Sequence, residues 1–338
     1  MAPTRPHMLD IFNHFVPKAY LDRLAGLIPG QPAVTMFPRV KPLWDLDARR
    51  ALVGRFDGLQ QILSLANPPL ELVAPPDVTP DLARLANDSL ADVCRRHPDQ
   101  FPSFIASLPM NNVEATLDEI DRAITTLGAC GIQVFSNVAG KPLSSPEFRP
   151  IFRRMVEHAL PVWVHPMRGP NFPEYASAQT SENEIWFMIG WPYETTACMT
   201  RLIYSGLFDE LPDLKIITHH MGGMVPFFYG KINLTFSQIF YGTVERGPLA
   251  EKAGLKRPPV DYFRMLYADT ALGEIAPTRC GHAFFGTEKC LFATDAPFDT
   301  EQGEKLIRDT IAAVNALETS QAEKDAIFSG NAKKLLRL

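Results

Sequence analysis

The chain alternates between short apolar runs rich in β-branched residues and longer segments in which apolar residues recur with helical spacing. Such runs predict strands, and such segments predict helices. The predicted strands cover residues 8–12, 60–66, 104–108, 132–135, 161–164, 211–218, 265–269 and 290–294. The predicted helices cover residues 49–56, 79–96, 113–127, 146–159, 192–208, 225–240, 301–314 and 321–338. Eight strands in strict alternation with helices predict a parallel sheet in a (β/α)8 TIM barrel.

A doubly wound α/β sheet is the alternative architecture, but no Gly-rich dinucleotide fingerprint supports it. The chain has 338 residues with 46% apolar content, so one barrel with extra loops would use all of it. We therefore expect a single domain over residues 1–338. Residues 25–44 and 167–183 are rich in Pro, Gly or Ser and exceed the usual length of a connection. They are expected to form inserted loops over the C-terminal face.

Composition and charge exclude several classes of function. The net charge of -5 with mixed signs gives no basic surface for nucleic acid and no polybasic membrane anchor. The sequence has no run that approaches the roughly 18 apolar residues of a transmembrane helix, and the expected location is cytoplasmic. The five cysteines are odd in number and form no Cys-x-x-Cys pair, so neither a disulfide framework nor a thiolate zinc site is predicted.

Polar residues stand where four of the predicted strands end, at His14, His165, His220 and Asp295. In a parallel barrel these ends meet at one mouth, where chemistry is assembled from several strands. Side chains alternate along a strand, so Phe12 is expected to point the same way as His14. The same alternation predicts that the ring next to His220, in His219, points away and is structural. Glycines 222 and 223 are expected to allow a sharp turn and to leave open space for a ligand beside His220.

The motifs around these residues resemble those of the amidohydrolase-2 family, in the group that contains aminocarboxymuconate semialdehyde decarboxylase and γ-resorcylate decarboxylase. Five motifs occur in the family's order and span nearly the whole chain. They are Asp10-Ile11-x-x-His14-x-x-x-Pro17, His165-Pro166, His220-x-Gly222-Gly223, Thr294-Asp295-x-Pro297-Phe298 and Ser329-Gly330-Asn331-Ala332.

The resemblance implies a metal-dependent (β/α)8 barrel of the metal-dependent-hydrolase type, which removes CO2 from an aromatic or dienoic carboxylic acid. It implies that His14, His165 and Asp295 bind a divalent metal, zinc or alternatively manganese, and that His220 moves protons. Asp295 would belong to both the metal site and the catalytic set. Imidazoles and a carboxylate suit such an ion, and an imidazole titrates near neutral pH. The family also implies a homodimer or a homotetramer.

Phe12 departs from the family pattern, because relatives carry His or Glu there as a further metal ligand. A phenyl ring cannot coordinate, so the site is expected to bind its metal more weakly, and Phe12 would contact substrate instead. Arg168 is a candidate partner for the substrate carboxylate, since guanidinium pairs bidentately with carboxylate. Its alternative is a solvated loop arginine. Trp191 is a candidate wall for an aromatic ring, although aromatic residues beside strands more often belong to the core.

Three functions remain open at this point. The first is a metal-dependent decarboxylase, which would release CO2. The second is a metal-dependent hydrolase of a C–C, ester or lactone bond, in which His220 would act as base and no CO2 would form. The third is a degenerate barrel without metal or turnover, which the phenylalanine at position 12 motivates.

Overall fold

A computed structural model describes residues 7–236, 254–271 and 273–338. Its strands are short, and they alternate with helices along the chain as the apolar runs predict. The strands are β1 Met8–Asp10, β2 Leu59–Gln61, β3 Ile132–Phe135, β4 Asn137–Val138, β5 Lys141–Pro142, β6 Val162–His165, β7 Ile216–Thr218, β8 Tyr267–Asp269 and β9 Cys290–Leu291. Of these, β4 and β5 form a separate antiparallel pair outside the barrel wall.

The barrel wall consists of two parallel ladders with single bridges between them. One ladder pairs β1 with β2, and the other has the order β3-β6-β7-β8-β9. Single parallel bridges at Phe104 and Ala106 join β2 to β3, in place of the predicted strand 104–108. On the other side the ladder is not closed, but the N–H of Ile11 donates to the carbonyl of Phe292 at 3.0 Å. The predicted TIM-barrel fold is therefore confirmed, with a wall that is hydrogen-bonded loosely at its seam.

Helices surround the wall and follow the predicted order. They are α1 Lys18–Leu27, α2 Pro32–Met36, α3 Lys41–Trp44, α4 Leu46–Val53, α5 Thr79–Arg96, α6 Val113–Thr125, α7 Arg149–His158, α8 Ile185–Met188, α9 Gly190–Tyr204, α10 Leu207–Glu210, α11 Val225–Phe236, α12 Pro259–Phe263, α13 Ile275–Phe285, α14 Glu304–Asn315, α15 Gln321–Asp325 and α16 Asn331–Leu336. No helix within the described ranges combines the length and the apolar character needed to cross a bilayer.

Alternation along the strands separates two apolar layers. In β6, Val162 and Val164 pack outward against the helices, whereas Trp163 packs in the barrel interior with Ile62 and Ile217. His165 has the parity of Trp163, so the strand delivers its imidazole to the interior at the C-terminal mouth. The interior apolar layer thus lies directly beneath the polar residues at the strand ends.

Two predicted segments differ in the structure. Residues 25–44, expected as a loop, contain the end of α1 and the short helices α2 and α3, because prolines at the first turns start helices as readily as they end strands. The last predicted helix, residues 321–338, is divided by a π-helical turn at Ala326–Gly330. Of the predicted helix 225–240, residues 237–240 lie outside the described residues.

Candidate active site

The first and last strands of the barrel bring His14 and Asp295 together. Past the end of β1, the N–H of His14 donates to the carbonyl of Ala296 at 2.8 Å, and the N–H of Asp295 donates to the carbonyl of Phe12 at 3.0 Å. Asp295 has a left-handed backbone with φ of 60°, which turns its side chain toward the mouth. As a result, Nε2 of His14 lies 2.9 Å from Oδ1 of Asp295.

His220 contacts the other oxygen of the same carboxylate. Its Nε2 lies 3.7 Å from Oδ2 of Asp295, and its ring is half-buried. Burial alone would lower the pKa of His220, but the carboxylates of Asp295 and Asp269 outweigh it and raise that pKa above its usual value. Burial opposes ionisation of Asp295, yet His14 and His220 together hold its pKa well below the usual range. The three side chains therefore form a charge-coupled group, with Asp295 between two imidazoles.

His165 lies opposite this group with one ring nitrogen free. Its Nδ1 is 2.6 Å from the carbonyl of Pro166, and a carbonyl can only accept, so Nδ1 carries the proton and Nε2 presents a lone pair. The ring centroid lies 5.8 Å from that of His14. Burial lowers the pKa of His165 well below its usual value, and the neighbouring His219 and His14 lower it further. The neutral form of His165 is the one that this environment favours.

Phe12 occupies the position below the histidines that the alternation predicts. Its ring centroid is 4.8 Å from that of His14, edge to face, and 5.9 Å from that of His165. Asn13 points to the other side, where its amide donates to the carbonyl of Ile62 at 3.0 Å. A phenyl ring therefore stands among the imidazoles, in a place where an imidazole or a carboxylate could have bound an ion.

The prediction that His219 points away from the site is wrong. Its ring is buried, with its centroid 3.9 Å from that of Phe12 and 5.3 Å from that of His165. His219 has the parity of Ile217, which packs in the barrel interior, so its inward direction follows the alternation of β7. The exception is His220, whose left-handed φ of 52° past the end of the strand turns its ring inward as well. Both neighbouring imidazoles consequently face the barrel interior.

Asp269, at the end of β8, is the site residue that sequence reasoning missed. Its Oδ2 lies 2.5 Å from Nδ1 of His219, off the line of an ideal hydrogen bond, and its Oδ1 accepts the backbone N–H of His220 at 2.9 Å. One buried carboxylate thus orients the whole histidine pair. The signal was present, because residue 269 is an acidic residue at the end of a predicted strand, as residue 295 is.

The two glycines after His220 do not leave open space, contrary to expectation. Gly222 and Gly223 have φ of 77° and 62°, as a sharp turn requires. A Cβ at Gly222 would lie 2.8 Å from the ring of Phe285, and one at Gly223 would lie 2.5 Å from the carbonyl of Pro192. The glycines therefore allow close packing of the turn against α9 and α13, and the room for a ligand lies elsewhere.

Trp191 lies beside His165 at the barrel mouth. Its ring lies edge to face with His165, with centroids 5.1 Å apart, and Phe187 packs on Trp191 at 4.6 Å. On the opposite side, the half-exposed ring of Phe298 lies 5.4 Å from His14. Aromatic side chains thus flank the two imidazoles that stand across the mouth from each other.

Arg168 belongs to the loop after β6 and is half-buried beside this aromatic wall. Its carbonyl accepts the indole N–H of Trp191 at 3.1 Å. Its guanidinium lies over the ring of Phe172 and 3.9 Å from a carboxylate oxygen of Glu194. Arg168 is therefore next to the site and already has a carboxylate neighbour, which a substrate carboxylate would join or replace.

Two buried charged residues support the backbone beneath the site. Asp10 accepts hydrogen bonds from Gln61, from Thr294 and from the N–H of Phe12, and burial raises its pKa to about 6. The guanidinium of Arg49 donates to the carbonyl of His14, and burial lowers its pKa to about 10, which leaves it charged at neutral pH. Both residues fix the segments that carry His14 and Asp295.

One pair of donors lies at a spacing that suits one edge of an ion's coordination shell. Two ligands at right angles, each about 2.1 Å from one ion, lie about 3.0 Å apart. The separation of 2.9 Å between His14 Nε2 and Asp295 Oδ1 matches that edge, and His165 offers a free Nε2 of the right chemistry. As the side chains lie, no three His, Cys, Asp or Glu residues of the described ranges form a group that would hold an ion. Binding therefore requires further donors to close in on the edge.

Sequence comparisons relate the chain to known decarboxylases. The profile of the amidohydrolase family matches residues 64–338. A 2-amino-3-carboxymuconate-6-semialdehyde decarboxylase from Dictyostelium discoideum is 31% identical over 300 residues, which cover 87% of this chain and 77% of that protein. A gamma-resorcylate decarboxylase from Rhodococcus jostii is 30% identical and covers 96% of this chain and 97% of that protein.

Comparison with solved structures also identifies a decarboxylase of similar fold. The crystal structure of a dihydroxybenzoic acid decarboxylase from a Polaromonas species, with bound manganese and the inhibitor 2-nitroresorcinol, superposes with a TM-score of 0.80. The two chains are 26% identical, and the match covers 98% of this chain and 97% of that one.

Proposed function

The chain belongs to the amidohydrolase family, as its motifs predict, and from that premise we propose that it is a non-oxidative decarboxylase of a small aromatic carboxylic acid. The observation that carries the proposal is the group of His14, Asp295 and His220, in which one carboxylate contacts two imidazoles at the barrel mouth. The aromatic side chains of Trp191 and Phe298 on either side suit a planar substrate. Relatives that act on aminocarboxymuconate semialdehyde and on γ-resorcylate support the same class of reaction.

The proposed metal site consists of His14, His165 and Asp295. A divalent ion bound there would polarise the substrate oxygens and neutralise their charge. Asp10, Arg49 and the hydrogen bond to Pro166 orient these side chains before any ligand arrives. The manganese in the Polaromonas structure supports a divalent ion, and manganese or zinc would suit the donor set.

His220 is the proposed proton carrier. Its contact with Asp295 and its raised pKa favour the protonated imidazole that donates the proton. That proton is transferred to the ring carbon bearing the carboxylate, and the bond to CO2 then breaks with its electron pair returning to the ring. One proton is consumed and one CO2 is released, and His220 is reprotonated from solvent. A general acid must lie within reach of the carbon that it protonates, so the proposal places that carbon beside Nε2 of His220 at the barrel mouth.

Substrate binding is proposed to use Arg168, Trp191 and Phe12. Arg168 would hold an oxygen of the acid, with Glu194 setting its orientation in the free protein. Trp191 would face the substrate ring from the side of His165, and Phe12 would form the apolar floor under the imidazoles. A desolvated apolar floor favours loss of carboxylate charge as neutral CO2.

The test is a decarboxylation assay with acids related to the substrates of the relatives, such as 2,6-dihydroxybenzoate and 6-methylsalicylate, each labelled with 13C in the carboxyl group. We expect labelled CO2 and, in deuterium oxide, one deuterium at the carbon that lost the carboxyl group. A His220→Asn variant in the same assay is the control for background loss of CO2. Cleavage of an ester, lactone or C–C bond without CO2 would establish a hydrolase instead.

Metal identity and assembly are decided by two direct measurements. Elemental analysis of protein purified without chelator distinguishes manganese from zinc, and light scattering after gel filtration distinguishes a monomer from the proposed homodimer or homotetramer. Chelation should abolish CO2 release, and the effective ion should restore it.

A further inference from the structure

Position 12 leaves the barrel mouth one donor short, and His219 lies directly against it. The phenyl ring of Phe12 has no lone pair for an ion, and its centroid is 3.9 Å from the His219 ring, the shortest of its contacts with the neighbouring imidazoles. A donor that replaced position 12 would have to come from this same part of the barrel interior. His219 meets that condition.

The imidazole of His219 has the features of a metal ligand rather than of a side chain that only packs in the core. It is 1% exposed, and neither ring nitrogen makes a well-aligned hydrogen bond among the residues that the structure describes, although Nδ1 lies 2.5 Å from Oδ2 of Asp269. Such a buried nitrogen is rare unless something binds it, because buried polar atoms are almost always paired. The ring also lies 5.3 Å from that of His165, whose own Nε2 carries a lone pair.

Asp269 fixes which nitrogen of His219 is available. An unprotonated nitrogen at 2.5 Å from a carboxylate oxygen would be repelled, so Nδ1 carries a proton toward Oδ2 of Asp269. Nε2 is then the atom left with a lone pair. Histidines that bind metals are commonly oriented by a carboxylate at the other ring nitrogen, and this pair has that arrangement.

We propose that His219, oriented by Asp269, supplies the metal donor that Phe12 cannot supply. The inference rests on the proposed metal-dependent decarboxylase and assigns its fourth protein donor to the end of β7 instead of the end of β1. The ring of Phe12 then serves as the apolar packing surface that holds His219 in place.

The test is a double-mutant cycle on metal affinity, with zinc and manganese measured separately by competition with a chromophoric chelator. His219→Ala should weaken binding at least tenfold, and His97→Ala, a half-buried histidine at the end of α5, should leave it unchanged. Phe12→His should tighten binding at least tenfold more in the His219→Ala protein than in the wild type, because only there is a donor missing. Asp269→Asn should weaken binding about 10- to 100-fold by releasing the ring.

Each outcome decides the inference. Equal effects of Phe12→His in the two backgrounds, or a folded His219→Ala protein with wild-type affinity, would overturn it. If His219→Ala does not fold, Asp269→Asn with unchanged affinity overturns it as well. A wild-type protein that releases CO2 while these variants behave like His97→Ala refutes this inference alone. Absence of CO2 release from every acid, whatever the affinities, refutes the proposed function.

Discussion

Asp10 and Thr294 are joined by two hydrogen bonds across the seam where the first and last strands meet. The hydroxyl of Thr294 donates to Oδ2 of Asp10 at 2.6 Å, and its N–H donates to Oδ1 at 3.1 Å. Thr294 immediately precedes Asp295, so this buried pair determines where the site carboxylate stands. The hydrogen bonds that close the seam of the barrel therefore also position the carboxylate of the candidate active site.

Thr294→Val should weaken both the fold and the reaction. The substitution removes the hydroxyl donor and leaves a buried carboxylate oxygen with one bond fewer, which costs about 1–3 kcal/mol. Thr294→Ser keeps the hydroxyl and is the matched control. Urea unfolding and CO2 release measure the two effects. A valine variant as stable and as active as the serine variant would mean that the bond does not position Asp295.

His220→Asn should lower turnover by about 10²- to 10⁴-fold, the usual contribution of a general acid or base. Asparagine keeps a polar side chain next to Asp295 but cannot carry the proton. Metal content should stay near that of the wild type, as elemental analysis would establish. Loss of the ion in this variant would instead identify His220 as a ligand.

His165→Ala should abolish metal binding and CO2 release together. The wild type should contain about one divalent ion per chain, because the three proposed donors would share a single ion. The variant loses Nε2 of His165, whereas the apolar residues beneath the site, Phe12 and Trp163, remain. Circular dichroism reports whether the fold persists. A folded His165→Ala protein that retains its ion and its activity contradicts the proposed ligand set.

Arg168→Met should raise KM for the acid at least tenfold and change kcat little, since it removes a charge-assisted contact with the substrate carboxylate. Arg201→Met, a change of the same charge on the exposed side of α9, is the control. Initial rates over a range of substrate concentrations separate the two constants. A fall in kcat at constant KM would place Arg168 in the chemical step.

Glu71→Gln should change how stability depends on pH. Burial raises the pKa of Glu71 to about 7 from 4.5, so the native state keeps a proton that the unfolded chain loses. The contribution of Glu71 to the free energy of unfolding therefore falls as the pH rises from about 4.5 to about 7, by roughly 3 kcal/mol in total. Glutamine stays neutral and should gain that difference at pH 8, with little gain below pH 4.5.

Urea unfolding at several pH values measures this difference. The exposed Glu182→Gln change is the control and should show no such pH dependence. Parallel curves for the wild type and Glu71→Gln would mean that Glu71 is ionised without cost in the folded protein.

The architecture and the strand ends were accessible from sequence because they depend on local patterns. Short apolar runs and helical segments predicted the barrel, and alternation along the predicted strand 8–12 and just beyond it correctly placed Phe12 beside His14. The parity of β6 likewise delivered His165 to the interior. Alternation therefore held inside β6 and in the segment that directly follows β1.

The parts that failed depend on contacts distant in sequence or on irregular backbone. Alternation alone cannot turn both His219 and His220 to the interior, and it does not hold for His220 because the chain leaves the strand at Thr218 and turns left-handed at His220. The packing of Gly222 depends on Phe285, which is far along the chain. The role of Asp269 required knowing which two strand ends are neighbours in the ring.

The seam also has a consequence for the order in which the protein is made. His14 and Asp295 are 281 residues apart, so a ribosome working at about 5–20 residues per second needs roughly 15 to 55 seconds to supply the second after the first. During that interval the imidazole of His14 and the carboxylate of Asp10 wait without their partners from the last strand. The proposed site is therefore incomplete in any nascent chain that has not yet reached Asp295.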